Sequence, residues 1–178
     1  RLDEVQIHAR ALSASEVQAL FLTNRPPNQA PYVNAQPDQV VKWPATVTLS
    51  GKSADDGLPS NVLNTTWSKV SGTGTVTFAN ATQLVTTASF STSGVYMLRL
   101  TGSDGALSSN DDVRVVANQP PSIFAGSNQA IRLPASMGLT GTMWDDGVPS
   151  NKVTVAWSTV SGPGPVVFSV TNNLLTFA

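Results

Sequence analysis

The chain has 178 residues, 40% of them apolar and only 12% charged, with a formal net charge of −1 and no cysteine. That length suits one or two domains, and that apolar share supports a packed core rather than wholesale disorder. A near-neutral chain with no basic stripe has no footprint for phosphate neutralisation by nucleic-acid binding. No run approaches the ~18 apolar residues of a membrane helix, and without cysteine there is no disulfide, thiolate metal site or cysteine nucleophile.

Residues 1–24 open with an alternating stretch from Asp3 to Ala9, in which Val5 and Ile7 oppose Glu4, Gln6 and His8. This predicts a short strand with His8 on its surface. Ser13-Ala14-Ser15-Glu16 is a capping box, with Ser13 as N-cap and Glu16 reaching back to it. The helix it starts runs to about Phe21, with Val17, Leu20 and Phe21 as its apolar stripe. Pro26-Pro27 cannot continue it.

From residue 25 the chain repeats itself. Asn28-Gln29-Ala30-Pro31 returns as Asn118-Gln119-Pro120-Pro121, SADDGLPSN at 53–61 as MWDDGVPSN at 143–151, and the Trp67–Gly72 run as Trp157–Gly162. The shift is 90 residues without a gap, and 26 of the 61 overlapped positions are identical. Such a period is too long for a solenoid unit and fits a β-sandwich of about 100 residues. The first copy spans 25–117. The second spans 118–178 and reads as truncated before its last two strands.

Within the first copy the predicted strands are Thr46–Ser50, Leu63–Trp67, Thr75–Phe78, Leu84–Phe90, Val95–Leu100 and Asp112–Val116. Val47 and Leu49 share one face, as do Tyr96, Leu98 and Leu100, and Val113 and Val115. Asp56-Gly57, Gly72-Thr73-Gly74, Ser93-Gly94 and Asp104-Gly105 mark the turns. About seven short strands at this spacing predict an all-β fold of tandem immunoglobulin-like antiparallel sandwiches. Trp67 then falls at the core Trp of the third strand, and Gly94-Val95-Tyr96 at the tyrosine corner. In the second copy, the counterparts of Val95–Leu100 and Asp112–Val116 are lacking, which predicts an exposed sheet edge and a half-open core.

The chemistry-bearing residues are few. A Ser-His-Asp arrangement would need His8, remote from the repeats. Gly72-Thr73-Gly74 lacks the helix and lysine of a phosphate loop. Asp55-Asp56 are neighbours on one loop, so they cannot face each other across a sugar as glycosidase carboxylates do. No enzyme constellation emerges. Asn64 and Asn80 head glycosylation sequons of the kind found on surface loops.

One cofactor remains in play. In a sandwich, the loop after the second strand, the turn between the sixth and seventh, and the start of the first strand meet at one pole. Asn28, Asp55, Asp56 and Asp104 gather there, with Asp111 and Asp112 starting the last strand, an oxygen-rich set of the type calcium uses. The second copy repeats it as Asn118, Asp145 and Asp146 but has no equivalent of Asp104, so its site is weaker. The plain alternative is an Asx-type turn and a tight hairpin with no ion.

The words Asn28–Pro31, Ala35–Gln39, Leu49-Ser50-Gly51, Thr66–Gly72, Ala88-Ser89-Phe90, Gly94–Thr101 and Ser103-Asp104-Gly105 together resemble bacterial polycystic-kidney-disease-type (PKD-like) domains. Trp67-Ser68-Lys69 stands where the best-known members carry W-D-F-G-D-G. Leu2–Ile7 followed by Arg10–Val17 resembles the closing segment of laminin-G-like, concanavalin-like jelly rolls. These resemblances imply a non-catalytic spacer or adhesion module of a secreted or surface protein. They also imply calcium at Asn28, Asp55 and Asp104. The partners expected are neighbouring domains of the same chain, and extracellular polysaccharide or surface proteins. The alternative is a carbohydrate-binding accessory module of a secreted polysaccharide-degrading enzyme, for which Tyr32, Trp43 and Trp144 are the aromatic candidates.

Overall fold

The computed structural model describes residues 10–23 and 25–178; the strand expected over 3–9, with His8, lies outside them. The helix α1 spans Ala14–Thr23. Its capping box forms as expected: Ser13 N–H donates to Glu16 Oε2 (2.9 Å) and Glu16 N–H to Ser13 Oγ (3.3 Å). The Arg10 guanidinium, and after it the Ser13 donors, hold the Glu16 carboxyl at about 2. No residue of α1 is buried. Val17 and Phe21 stay mostly exposed, above a shallow groove shared with Arg25, Pro26 and Leu58.

The first copy is built of β1 (Tyr32–Asn34), β2 (Gln39–Lys42), β3 (Val47–Ser50), β4 (Lys52–Ala54), β5 (Asn64–Ser71), β6 (Val76–Phe78), β7 (Val85–Phe90), β8 (Gly94–Ser103) and β9 (Ser108–Asn118). One sheet has the order β2-β9-β8-β5, the other β3-β7-β6, and β1 pairs with β4. The sequence pattern located β3 and β5–β9 and left unassigned β4 and the pair β1 and β2. These two are one segment that changes sheets. Ala35 N–H donates to the Asp111 carboxylate (2.9 Å), Gln36 takes a left-handed φ of 69°, and the chain then lies along β9. β2 and β9 form a parallel pair in an otherwise antiparallel sandwich.

The core forms where period-2 alternation placed it. Val47, Leu49, Tyr96, Leu98, Leu100, Val113 and Val115 are all buried, and Trp67 lies beneath them. Gly51 lies between β3 and β4 and leaves room for the indole: a Cβ there would sit 2.9 Å from Trp67 Cζ2 and 2.5 Å from Leu100 Cδ2. The tyrosine corner is present, with the Tyr96 hydroxyl donating to Thr92 O at 2.8 Å.

The second copy has only β10 (Ser122–Phe124), β11 (Gly138–Thr140), β12 (Thr142–Trp144) and β13 (Leu175–Phe177), paired β10-β12 and β11-β13. Its Trp157 N–H still bonds Thr171 O and Gly141 N–H still bonds Leu174 O, matching Trp67 to Ala81 and Gly51 to Leu84. Residues 152–161 nonetheless form no strand. The reason is visible in the first copy, where the ladder of β5 is made entirely with β8. Without such a partner an extended segment has no ladder to join. The core opens in step: Met137, Leu139 and Trp157, counterparts of buried Val47, Leu49 and Trp67, are only half-buried.

Candidate functional site

The Asp-Asp-Gly loop shows how its sequence folds. Asp55 Oδ2 accepts from Gly57 N (3.0 Å) and Asp56 Oδ1 from Leu58 N (2.8 Å), two successive Asx turns. Asn61 N–H closes the loop onto Gly57 O (2.9 Å). Gly57 supplies the φ of +81° that this path requires. The second copy repeats these bonds: Asp145 with Gly147 N (2.9 Å), Asp146 with Val148 N (3.2 Å), and Asn151 N with Gly147 O (2.8 Å).

The same loop clasps the incoming chain. Gln29 N–H donates to Asp56 Oδ2 (3.1 Å), and Gln119 N–H to Asp146 Oδ2 (3.0 Å). Backbone donors of this kind carry no side-chain signature, so the sequence pattern did not single out Gln29 or Gln119. The 90-residue repetition of Asn-Gln before Pro was the one available signal. For Asp146, burial alone would raise the carboxyl; the Gln119 N–H and, after it, the Val148 N–H help to hold the group below its ordinary value.

Asp104 is fully buried at the β8–β9 turn. Its Oδ1 accepts from Ala106 N (2.7 Å) and Leu107 N (2.6 Å), and its Oδ2 from Asn28 Nδ2 (2.9 Å). The Leu107 N–H is the main cause that keeps this carboxyl below its ordinary value, against the opposing effect of burial, with Ala106 N–H and Asn28 assisting. Asn28 and Asp104 are thus in direct contact and Asp56 holds the next residue, Gln29. Asp111 and Asp112 serve elsewhere: Asp111 caps Ala35 N, and Asp112 pairs with Arg99 at 2.7 Å.

Two oxygens at this pole, Asn28 Oδ1 and Asp55 Oδ1, are buried without a donor, as is Asn118 Oδ1 in the second copy. A buried acceptor with no partner is costly, and two acceptors of this kind suit a hard cation. Among the described residues, no three His, Cys, Asp or Glu side chains come together as a metal cluster. A cation here would therefore draw on amide and main-chain oxygens as well as carboxylates. In the second copy, Asn118 and Asp145 line a cavity of about 140 Å³ that also has Lys152 in its wall.

Of the three aromatic candidates, Trp43 is packed against the core and donates its indole N–H to Phe90 O (3.1 Å). Tyr32 and Trp144 are more than half exposed. They occupy the same rung of the two copies from opposite strands, since Tyr32 faces Ala54 and Ser122 faces Trp144. Among the described residues, no helix is long and apolar enough to cross a membrane.

Residues 35–117 match the family model described as K319L-like, PKD domain, a span that begins at the β1–β2 switch and ends one residue short of the end of β9. The chain is similar to the solution structure of the PKD domain from KIAA 1837 protein, at 25% identity over 60% of this chain and 100% of that one, TM-score 0.43. It is also similar to titin domains Z1Z2 in complex with telethonin (11% identity, 85% and 81% covered, TM-score 0.39). A third likeness is to domains 5-6 of the S-layer protein SbsC (18% identity, 86% and 83% covered, TM-score 0.34).

Proposed function

We propose that this chain is a non-catalytic spacer or adhesion module of an extracellular or surface protein, working by bearing load between its neighbouring domains. The observation that carries this reading is the parallel pairing of the first copy's entering segment with its last strand: Gln39, Val40, Val41 and Lys42 lie opposite Val115, Val116, Ala117 and Asn118. Trp43 N–H extends the ladder to Asn118 O (2.8 Å). Tension applied at the two ends pulls parallel neighbours in opposite directions, so all these bonds are loaded in shear and must break together. Asn118, the last residue of β9, is also the counterpart of Asn28 in the second copy, so no slack linker separates the two. Residues 10–23 fit the reading of residues 1–24 as the tail of a laminin-G-like jelly roll, a preceding domain that would be held at a fixed distance.

Calcium suits the pole that receives the incoming chain. Asn28 and Asp55 would hold it through their undonated oxygens, with Asp104 and Asp56 beside them; Asn118, Asp145 and Asp146 would form the weaker second site. The ion would supply positive charge where two oxygens lack a donor, and so stiffen the junction. The test is to pull single molecules from their ends, with and without millimolar calcium. Val41→Pro, which removes a donor from the β2–β9 ladder, is expected to lower the unfolding force of the first copy. An unchanged force would reject the load-bearing reading. Calorimetric titration with calcium reads the ion separately: no heat and no rise in Tm would reject the ion and leave the mechanical reading standing.

A second reading, a carbohydrate-binding accessory module, is favoured by the exposed rings of Tyr32 and Trp144 on equivalent rungs, since flat rings stack on sugar faces. Retention on insoluble polysaccharide that Tyr32→Ala and Trp144→Ala abolish would support it.

A further inference from the structure

The loop between β6 and β7 carries one side-chain group that its own fold does not use. Asn80 N–H donates to the hydroxyl of buried Thr86 (3.0 Å), and Asn80 O accepts from Gln83 N (3.4 Å). Asn80 Oδ1 accepts twice, from Thr82 N (3.0 Å) and from Thr82 Oγ1 (2.8 Å). Only Nδ2 is left. Among the described residues it has no acceptor, and both Asn80 and Thr82 are exposed. The second copy shows that the loop closes without this asparagine. Val170 stands at the equivalent place, and its N–H still donates to Thr176 Oγ1 (3.2 Å). Thr171 O still receives Trp157 N–H, as Ala81 O receives Trp67 N–H. The backbone path therefore does not depend on the Asn80 side chain.

We propose that Asn80 is the preferred acceptor of an N-linked glycan, donated by a lipid-pyrophosphate-linked oligosaccharide. Asn80-Ala81-Thr82 is one of two Asn-x-Thr triplets in the chain, and Asn64-Thr65-Thr66 is the other. Their conformations differ. Asn64 opens β5 and faces Ser103 across the ladder. A strand holds residues two apart about 6.5 Å from each other along the chain, and no hydrogen bond joins Asn64 to Thr66. The run Asn-Thr-Thr also favours that extended state, since β-branched residues do. At Asn80 the turn is set by three successive residues, so it needs no distant strand to form. In the transfer, Nδ2 forms a bond to the anomeric carbon while that carbon's bond to the pyrophosphate oxygen breaks. The oxygen keeps the electron pair, the lipid pyrophosphate departs, and one Nδ2 proton passes to a base of the transferring enzyme. Amide N–H groups are weak acids, and two donors on Oδ1 draw charge from the amide and make that proton easier to lose. The glycan would sit where Ala81 O and Thr82 O bond Trp67 N (2.7 Å) and Thr65 Oγ1 (3.2 Å) of β5. It would thus shield that edge of the sandwich from pairing with another chain.

This inference rests on the extracellular reading, because only a secreted chain meets such a donor. The test supplies the secretion itself, so a failure at Asn80 strikes the site and leaves the extracellular reading standing. The 178-residue chain is secreted from cultured cells that carry out N-glycosylation, and peptide mass spectrometry reads the occupancy of both asparagines. Asn80 is expected to be occupied, and to a greater extent than Asn64. Thr82→Ala is expected to empty Asn80, Thr82→Ser, which keeps a hydroxyl, to retain its glycan, and Thr66→Ala to leave it unchanged. An unmodified Asn80, or occupancy of Asn64 equal to or above that of Asn80, overturns the proposal. So does a Thr82→Ala chain that keeps its glycan.

Discussion

The amide of Asn28 donates to the buried carboxylate of Asp104 at 2.9 Å, joining residues 76 apart in sequence. This bond ties the incoming chain to the far turn of the sandwich. It also leaves Asn28 Oδ1, the other half of the same amide, without a donor. One residue therefore serves the fold through its nitrogen and is available to a cation through its oxygen.

The first prediction concerns acid. Asp104 has a folded-state pKa below its ordinary value, so its contribution to stability is present above the unfolded value of about 4 and is lost as pH falls through the folded value. Thermal melts of the intact chain between pH 7 and pH 2 are expected to show this loss. Asp104→Asn is expected to lower Tm at pH 7 and to flatten the acid limb of the first copy's transition. A variant with the full acid dependence would show that the carboxylate is not what titrates.

The two tryptophans give an internal control. Trp67 is 2% exposed and central to the first core, so Trp67→Ala is expected to cost about 3–5 kcal/mol. Trp157 is half-buried beside an open cavity, and Trp157→Ala is expected to cost a small fraction of that and to leave the first copy's transition in place. Denaturant unfolding followed by amide signals assigned to each copy separates the two effects.

Gly51 and Gly141 form a second matched pair. Gly51→Ala drives a methyl against Leu100 and Trp67, an overpacking that typically costs about 1–3 kcal/mol. Gly141→Ala meets only contacts of 3.3 Å and beyond, and its cost is expected to be clearly smaller. Equal losses at both positions would show that the second core closes as tightly as the first.

At the tyrosine corner, Tyr96→Phe removes the donor to Thr92 O while keeping the ring that lies 4.6 Å from Phe90. The expected loss is about 0.5–1.5 kcal/mol. Because the ring stays in place, Tyr96→Leu should cost more than Tyr96→Phe, and chemical denaturation of the three proteins checks the order.

The sequence alone specifies the repeat, the all-β class, six strands of the first copy, the inward faces of β3, β8 and β9, and the helix cap. These follow from local rules: alternation with period 2, turn residues, and a Ser-x-x-Glu spacing that needs only one helical turn to act. It also gathered Asn28, Asp55, Asp56 and Asp104 at one pole, because sandwich topology sends those loops the same way. The rest depends on contacts between residues distant in sequence. The sheet switch at Ala35–Gln36 depends on Asp111, 76 residues away in sequence, and no local pattern records such a partner. Asp111 and Asp112 lie next to each other in sequence, yet one caps a kink and the other meets Arg99 across the sheet. The segment 154–161 carries much of the sequence of β5 and forms no strand, because a strand is held by its neighbour's hydrogen bonds and not by its own residues.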